Sequence, residues 1–201
     1  MVNLYQLAKK DVKEAAVVVA KAFSDYPAYN YLISQGKKRL ERLSVLFEFL
    51  IRFGLRYGKV YSNSPNLEGI SIWLYTENEK DSILRYLRCG IVKGTRKIGI
   101  RDVMKSIKVS DHLDKKTELY ASSEPNWHLQ IIAVLPELQR KGYGSELMNE
   151  VFNDPEFTGP YYLDTQLEEN LPFYQRHGFE IVGKDKIPNT DISSWYMLRK
   201  R

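Results

Sequence analysis

A chain of 201 residues, 43% of them hydrophobic, is long enough for a substantial core but short for two ordinary domains. Its lone cysteine, Cys89, excludes an internal disulfide framework and any multi-cysteine zinc site. The net charge of +5 favours an anionic partner, but the basic residues are scattered and nothing beyond net charge supports nucleic-acid binding.

The start, MVNLYQLAKKD, lacks a basic-then-apolar leader, and the apolar runs stop short of membrane length. A soluble, cytoplasmic protein with no membrane partner is the expectation. Residues 2–7 alternate and are predicted as a first strand. Val12, Ala15, Ala16, Val19, Ala20 and Phe23 recur at three- and four-residue spacing, which predicts a helix. Residues 24–36 (SDYPAYNYLISQG) read as an aromatic-rich connection. A second helix is predicted over 37–57, with Leu40, Leu43, Phe47, Leu50 and Ile51 inward and Gly54 and Gly58 at its end.

Residues 58–75 read as a hairpin: GKVYS, a turn at NSPN, then LEGISIWLY with Ile70, Ile72 and Leu74 on one face. Residues 76–124 are predicted as a helical insertion. Asp81 or Ser82 would cap a short helix using Ile83, Leu84 and Leu87; Ile100, Val103, Met104 and Ile107 support another. A strand over 126–134, a loop over 135–141 and a helix over 142–153 follow, the helix carrying Leu147, Met148, Val151 and Phe152 on one face. A short strand at 161–164, a short helix at 170–177 and strands at 179–187 and 194–199 close a single α/β (α+β) domain over 1–201.

The stretch LQIIAVLPELQRKGYGSELMNEVF (129–152) places two glycines at the start of a helix. Backbone N–H groups there lack intrahelical acceptors and the helix dipole favours anions, so Gly142 and Gly144 would let a phosphate come close, with Arg140 and Lys141 adding charge; on the loop alone, a helix start that merely contains glycines fits as well. The spacing fits neither a Walker loop nor the three-glycine dinucleotide fingerprint. Downstream, LDTQLEENLPFYQRHGFEIVGK offers Asn170 as a cap, Pro172 in the first turn and Gly178 at the end of a helix. Asn170 and Tyr174, four apart, share one face of it.

Together these segments resemble the GNAT superfamily of acetyl-CoA-dependent N-acetyltransferases, closely over 127–179 and more loosely to the end. Within it, EPNWHLQIIAVLPELQRKGYGS, LEENLPFYQRHGFEIVG and the closing WYML are similar to puromycin N-acetyltransferase-like members. The resemblance implies a mixed, mostly antiparallel sheet of six to seven strands flanked by helices, with the insertion between the third and fourth strands. It implies acetyl-CoA as co-substrate, no metal, and 126–179 as the cofactor-binding core. The backbone of Gln139, Arg140, Lys141, Gly142, Tyr143, Gly144 and Ser145 would cradle the pyrophosphate. Ile132, Ala133 and Val134 would pair with the pantetheine amides, Asn170 would hydrogen-bond that arm, and Phe173 would pack beside it. Tyr174 would be the general acid for the departing thiolate. Arg140 is a departure, since close relatives often have Gly there.

The resemblance does not fix the base. His128 is the first candidate, titrating near neutral pH and, by strand parity without a bulge, sharing a face with Gln130, Ile132 and Val134. Asp164 is second and Glu124 third; His112 and His177 read as helix-surface residues. Tyr26, Tyr29, Trp73 and Trp127 are candidate acceptor-site aromatics, either lining a pocket for an apolar amine or serving as ordinary core. The expected partner is a small-molecule amine, with a monomer or homodimer expected. The alternatives are a peptide or protein amine acceptor, or a non-catalytic acetyl-CoA-binding module.

Overall fold

The computed structural model describes residues 3–76, 83–121 and 124–200. In chain order the elements are β1 (Tyr5–Gln6), α1 (Val12–Ala22), α2 (Pro27–Leu32), α3 (Arg39–Tyr57), β2 (Gly58–Ser62) and β3 (Gly69–Tyr75). The insertion holds α4 (Ile83–Arg88), α5 (Ile91–Ile98) and α6 (Ile100–Tyr120). Then come β4 (Trp127–Val134), α7 (Tyr143–Phe152), β5 (Tyr161–Thr165), α8 (Leu171–Arg176), β6 (Glu180–Lys186) and β7 (Ser193–Arg199). No helix of the described residues is long and apolar enough to cross a membrane.

The strands form one seven-stranded sheet in the order β1-β2-β3-β4-β5-β7-β6. Every neighbouring pair is antiparallel except β4 and β5, which run parallel. Two cores follow from side-chain alternation across the sheet. Val60, Ile70, Ile72, Leu74, Ile131 and Ala133 bury one face against α1 and α3. Trp73, Trp127, Leu129, Leu163 and Met197 bury the other against α7 and α8.

The predicted strand at 2–7 pairs over only two residues, Tyr5 opposite Ser62 and Gln6 opposite Tyr61. Residues 24–36 are not a bare connection: Pro27 starts α2, its fixed φ and missing N–H suiting a first helical turn. On α3, Leu43, Phe47 and Ile51 are inward as expected, but Leu40, in the first turn, is 44% exposed. The candidate caps Asp81 and Ser82 lie outside the described residues. Leu84, Leu87, Ile100, Met104 and Ile107 are exposed, and α6 buries Asp102 and Val109 instead.

The insertion is tied down by polar contacts at two places. Near the start of α6, the buried Asp102 carboxylate accepts from Ser34 N–H at 3.0 Å and Ser34 Oγ at 2.9 Å, and pairs with Arg42 at 3.0 Å. Burial alone would raise its pKa, but the Ser34 bonds and the Arg42 charge outweigh that and lower it. Near the end of α6, Lys116 and His112 reach Asp185 of β6 at 2.7 and 3.3 Å, while Tyr196 donates to the same carboxylate at 2.7 Å. Burial pushes the Asp185 pKa up, but the Lys116, Tyr196 and His112 bonds bring it below the ordinary range. Tyr120 stacks on Tyr196 and covers Gly183, where a Cβ would fall 2.5 Å from the Tyr120 ring. His112 is therefore an inter-element contact rather than a plain surface residue.

Candidate active site

Parallel pairing between β4 and β5 holds only at Trp127–Tyr161 and His128–Tyr162. Beyond that point the strands share no further register, while β3 continues to pair with β4 as far as Val134. One edge of β4 from Leu129 onward therefore faces a gap rather than a strand. Backbone donors and acceptors on such an edge need a partner from outside the sheet.

A β-bulge decides which side chains meet there. The register of β3 and β4 shifts between Ile72 (opposite Ile131) and Trp73 (opposite Leu129), so Gln130 has no partner of its own. His128 lies opposite Leu74 and shares the α1/α3 face with Ile131 and Ala133. Ile132 packs on the other side, toward α7. The simple parity placing His128 beside Ile132 and Val134 is thus reversed by one extra residue.

His128 Nε2 stands 3.8 Å from Asp164 Oδ1, both side chains largely buried. Gln166 Nε2 donates to Asp164 Oδ2 at 2.6 Å and lies 3.0 Å from Ser194 Oγ. Tyr26 comes from the α1–α2 connection and clamps the end of β5. Its hydroxyl lies 3.0 Å from Thr165 Oγ1 and accepts from the Gln166 N–H at 2.8 Å. Burial pushes the Tyr26 pKa up to about 12, against the lowering effect of those two bonds.

Tyr174 lies on the α8 side of the gap, inside the second core. Burial drives its pKa far above the ordinary tyrosine value, with the nearby Tyr26 and Asp164 adding to the rise. Asn170 occupies the N-cap position of α8 but makes no capping bond; its Nδ2 donates to Thr165 Oγ1 at 3.3 Å. His177 bonds the Phe173 carbonyl at 2.8 Å, which locks the last turn of α8.

The start of α7 closes one end of the gap. Its first helical bond runs from Glu146 N–H to the Gly142 carbonyl, so Tyr143, Gly144 and Ser145 N–H have no intrahelical acceptor. Gly142 caps the helix at φ +95°, which favours glycine, and a Cβ on Gly144 would lie 3.3 Å from the Phe173 ring. Arg140 also sits in the left-handed region, at φ +62°. The backbone at this position is therefore one that favours glycine. Asn63, from the β2–β3 turn, donates to the Tyr143 carbonyl at 3.0 Å and to Glu146 at 2.6 Å, fixing the helix start.

A cavity of about 920 Å³ borders β4, the end of β5 and α8, but Gly142, Tyr143, Gly144, Ser145 and Phe173 do not line it. Tyr26, Tyr29, His128, Ile132, Ala133, Val134, Gln139, Asn170 and Tyr174 line it. Trp73 and Trp127 do not: both are buried in the α7-side core, Trp127 against Phe157 at 4.2 Å between ring centroids. Arg140 and Lys141 are exposed beside the cavity rather than in its wall. Among the described residues no cluster of His, Cys, Asp and Glu could hold a metal ion. Sequence reasoning passed over Thr165, Gln166 and Gln130, polar residues that either join the hydrogen-bond chain or line the cavity.

The acetyltransferase (GNAT) domain model matches residues 105–181, from within α6 to the start of β6. Over that stretch the chain is similar to acetyltransferases of the GNAT type. It is an acyltransferase enzyme. The GNAT match takes in the free edge of β4, the start of α7, Asp164 and Tyr174. An uncharacterised N-acetyltransferase of Schizosaccharomyces pombe is 27% identical over 176 residues, covering 85% of this chain and 71% of that one. A Corynebacterium glutamicum structure, described as histone acetyltransferase HPA2 and related acetyltransferase, superposes with a TM-score of 0.66. It is 16% identical and covers 98% of this chain and 94% of its own. The C-terminal condensation domain of Ebony, solved with beta-alanyl-dopamine, gives a TM-score of 0.65 at 9% identity over 100% of both chains. These two likenesses are of fold.

Proposed function

We propose that the protein transfers acetyl from acetyl-CoA to a primary amine of a small molecule, by direct attack in a ternary complex. The observation that carries this reading is the gap between β4 and β5, with Tyr174 on one side of the sheet and His128 and Asp164 on the other. A proton donor and a proton acceptor on opposite sides of one opening suit a reaction that gains a proton at one atom and loses one at another.

The residues present fit the co-substrate. The unpaired N–H groups of Tyr143, Gly144 and Ser145 suit a pyrophosphate, with Gln139, Arg140, Lys141 and Gly142 completing the loop. The free edge of β4 at Ile132, Ala133 and Val134 suits an extended amide-bearing arm, and its N–H donors suit a developing oxyanion. Asn170 has spent its Nδ2 on Thr165, so its Oδ1 remains to accept from an amide N–H of that arm, with Phe173 packed alongside.

Acetyl-CoA supplies the thioester carbonyl that the amine nitrogen attacks and the thiolate that departs when the carbon–sulfur bond breaks. Tyr174 stays protonated at neutral pH and gives its phenolic proton to the sulfur. His128, steadied by Asp164, takes the proton the amine loses. A small acceptor is favoured over a peptide because α2 and the tethered α6 both contribute to the cavity wall. The similarity of the quoted segments to puromycin N-acetyltransferase-like members supports the same reading. An acetylation assay over aminonucleosides, polyamines, amino acids and peptides, with thiol detection, tests it. Amine-dependent thiol release supports the proposal; acetyl-CoA binding without such release across the panel contradicts it.

A further inference from the structure

We propose that the preferred acceptor is a lipophilic primary amine without a carboxylate: an apolar or aromatic body seated among α3–α6, its ammonium drawn in by an acidic mouth. This deepens, and rests on, the acetyl-transfer reading of the same cavity.

The cavity does not stop at His128. It continues under the insertion, where Leu50, Phe53, Tyr86, Ile98, Val109 and Leu113 line it. Phe53, Ile98 and Val109 are buried members of the α1/α3-side core, while Leu50, Tyr86 and Leu113 at its fringe are only partly buried and leave apolar surface open to the cavity. An apolar arm there removes that surface from water. Each buried methylene strengthens binding about fourfold.

The charged groups on the same wall have one predominant sign. Asp25, Asp111, Asp114, Asp164 and Glu169 line the cavity against a single lysine, Lys21, in a chain whose net charge is +5. The imbalance is a property of this wall and opposes the composition of the whole. An approaching ammonium is attracted there, and a carboxylate next to the amine is repelled. Free amino acids are disfavoured by their carboxylate, and an uncharged apolar arm covers side chains such as Phe53 and Ile98 that a polyamine arm would leave against a charge.

The test follows thiol release with butylamine, hexylamine, 4-phenylbutylamine, phenethylamine, phenylalanine, phenylalaninamide and spermidine, alongside calorimetry of each amine and of acetyl-CoA separately. The expected kcat/KM rises about fourfold per methylene until the arm fills the cavity. Phenethylamine should exceed phenylalanine by about a hundredfold, and phenylalaninamide should recover most of that loss. Leu50→Trp, which fills the apolar end, should lower the ratio of 4-phenylbutylamine to butylamine turnover about tenfold. A flat dependence on arm length, an unchanged ratio in Leu50→Trp, or spermidine or phenylalanine as the better acceptor overturns the inference. If acetyl-CoA binds and lipophilic amines do not, this inference fails while acetyl transfer stands. If lipophilic amines bind and acetyl-CoA does not, the acetyl-transfer reading fails, and with it the acceptor role, while the cavity's preference for such amines is retained.

Discussion

His128 and Asp164 stand 3.8 Å apart, Nε2 to Oδ1, on the face of the sheet opposite Tyr174. They arrive there from two parallel strands at the point where those strands stop pairing. A bulge at Gln130 turns His128 to that face. If the pair acts as one proton acceptor, His128→Ala and Asp164→Asn should each lower kcat/KM by about 10²-fold or more. The double variant should lose little beyond the worse single one, since coupled groups are not additive. Steady-state kinetics of the three variants checks this; fully additive losses would separate the two residues.

Tyr174→Phe keeps the ring in the α7/α8-side core and removes only the hydroxyl. Turnover should fall by about 10²- to 10⁴-fold while acetyl-CoA affinity, read by calorimetry, changes little. Because burial raises its pKa well above the tyrosine norm, no loss of rate should come from Tyr174 ionisation up to pH 10. An equal loss in turnover and affinity would point to a binding role only.

The buried tyrosines also set the alkaline limit of the fold. Tyr26 is raised by burial to about 12 from the ordinary 10.0, so the folded state holds its proton more tightly than the unfolded chain. Its contribution is complete below pH 10 and is lost as pH rises from about 10 to about 12. Tyr29 and Tyr174, raised by burial too, act in the same direction. Tyr26→Phe should unfold less steeply over that window in a denaturant-against-pH series. At neutral pH it should cost about 1–2 kcal/mol, since the Gln166 N–H loses its acceptor.

Asp102 locks the insertion, and its lowered pKa means the contribution is complete above the ordinary aspartate range and is lost as pH falls from there through the lowered value. Asp102→Ala leaves Arg42 and Ser34 without their acceptor, at about 3 kcal/mol. Thermal unfolding should show that loss. Because α6 lines the cavity, the acceptor KM should rise more than the acetyl-CoA KM in the folded variant.

At the phosphate loop, Arg140→Gly should stabilise the protein by about 1 kcal/mol by releasing a left-handed residue. Gly144→Val should push against the Phe173 ring and weaken acetyl-CoA affinity at least about tenfold. Urea unfolding and calorimetry read the two effects separately.

The order of elements from α3 to β7, with α5 as the exception, was legible because long periodic runs meet clear punctuation: Gly58 after α3, Pro136 after β4, Pro155 after α7. Residues 24–36 were harder. Pro27 reads as a breaker, yet it opens α2 because a first turn needs neither its N–H nor a free φ. The glycine corner before α7 was readable through backbone needs, as at Gly142 and Gly144. The acceptor side was not, because its shape depends on contacts between distant segments: Tyr26 on Thr165, Asp102 on Ser34 and Arg42, and the bulge that moves His128. Trp73 and Trp127 show the same limit from the other direction. Period alone could not say that their face packs on α7 rather than opening to the cavity.

Acetyl transfer to an amine is tested most directly by incubating the protein with acetyl-CoA and 4-phenylbutylamine and measuring thiol release and product mass together. The expected result is one free thiol per N-acetyl product, both dependent on the amine and both abolished or nearly so in Tyr174→Phe. Saturable acetyl-CoA binding with no amine-dependent thiol, across this amine and the wider panel, would contradict it.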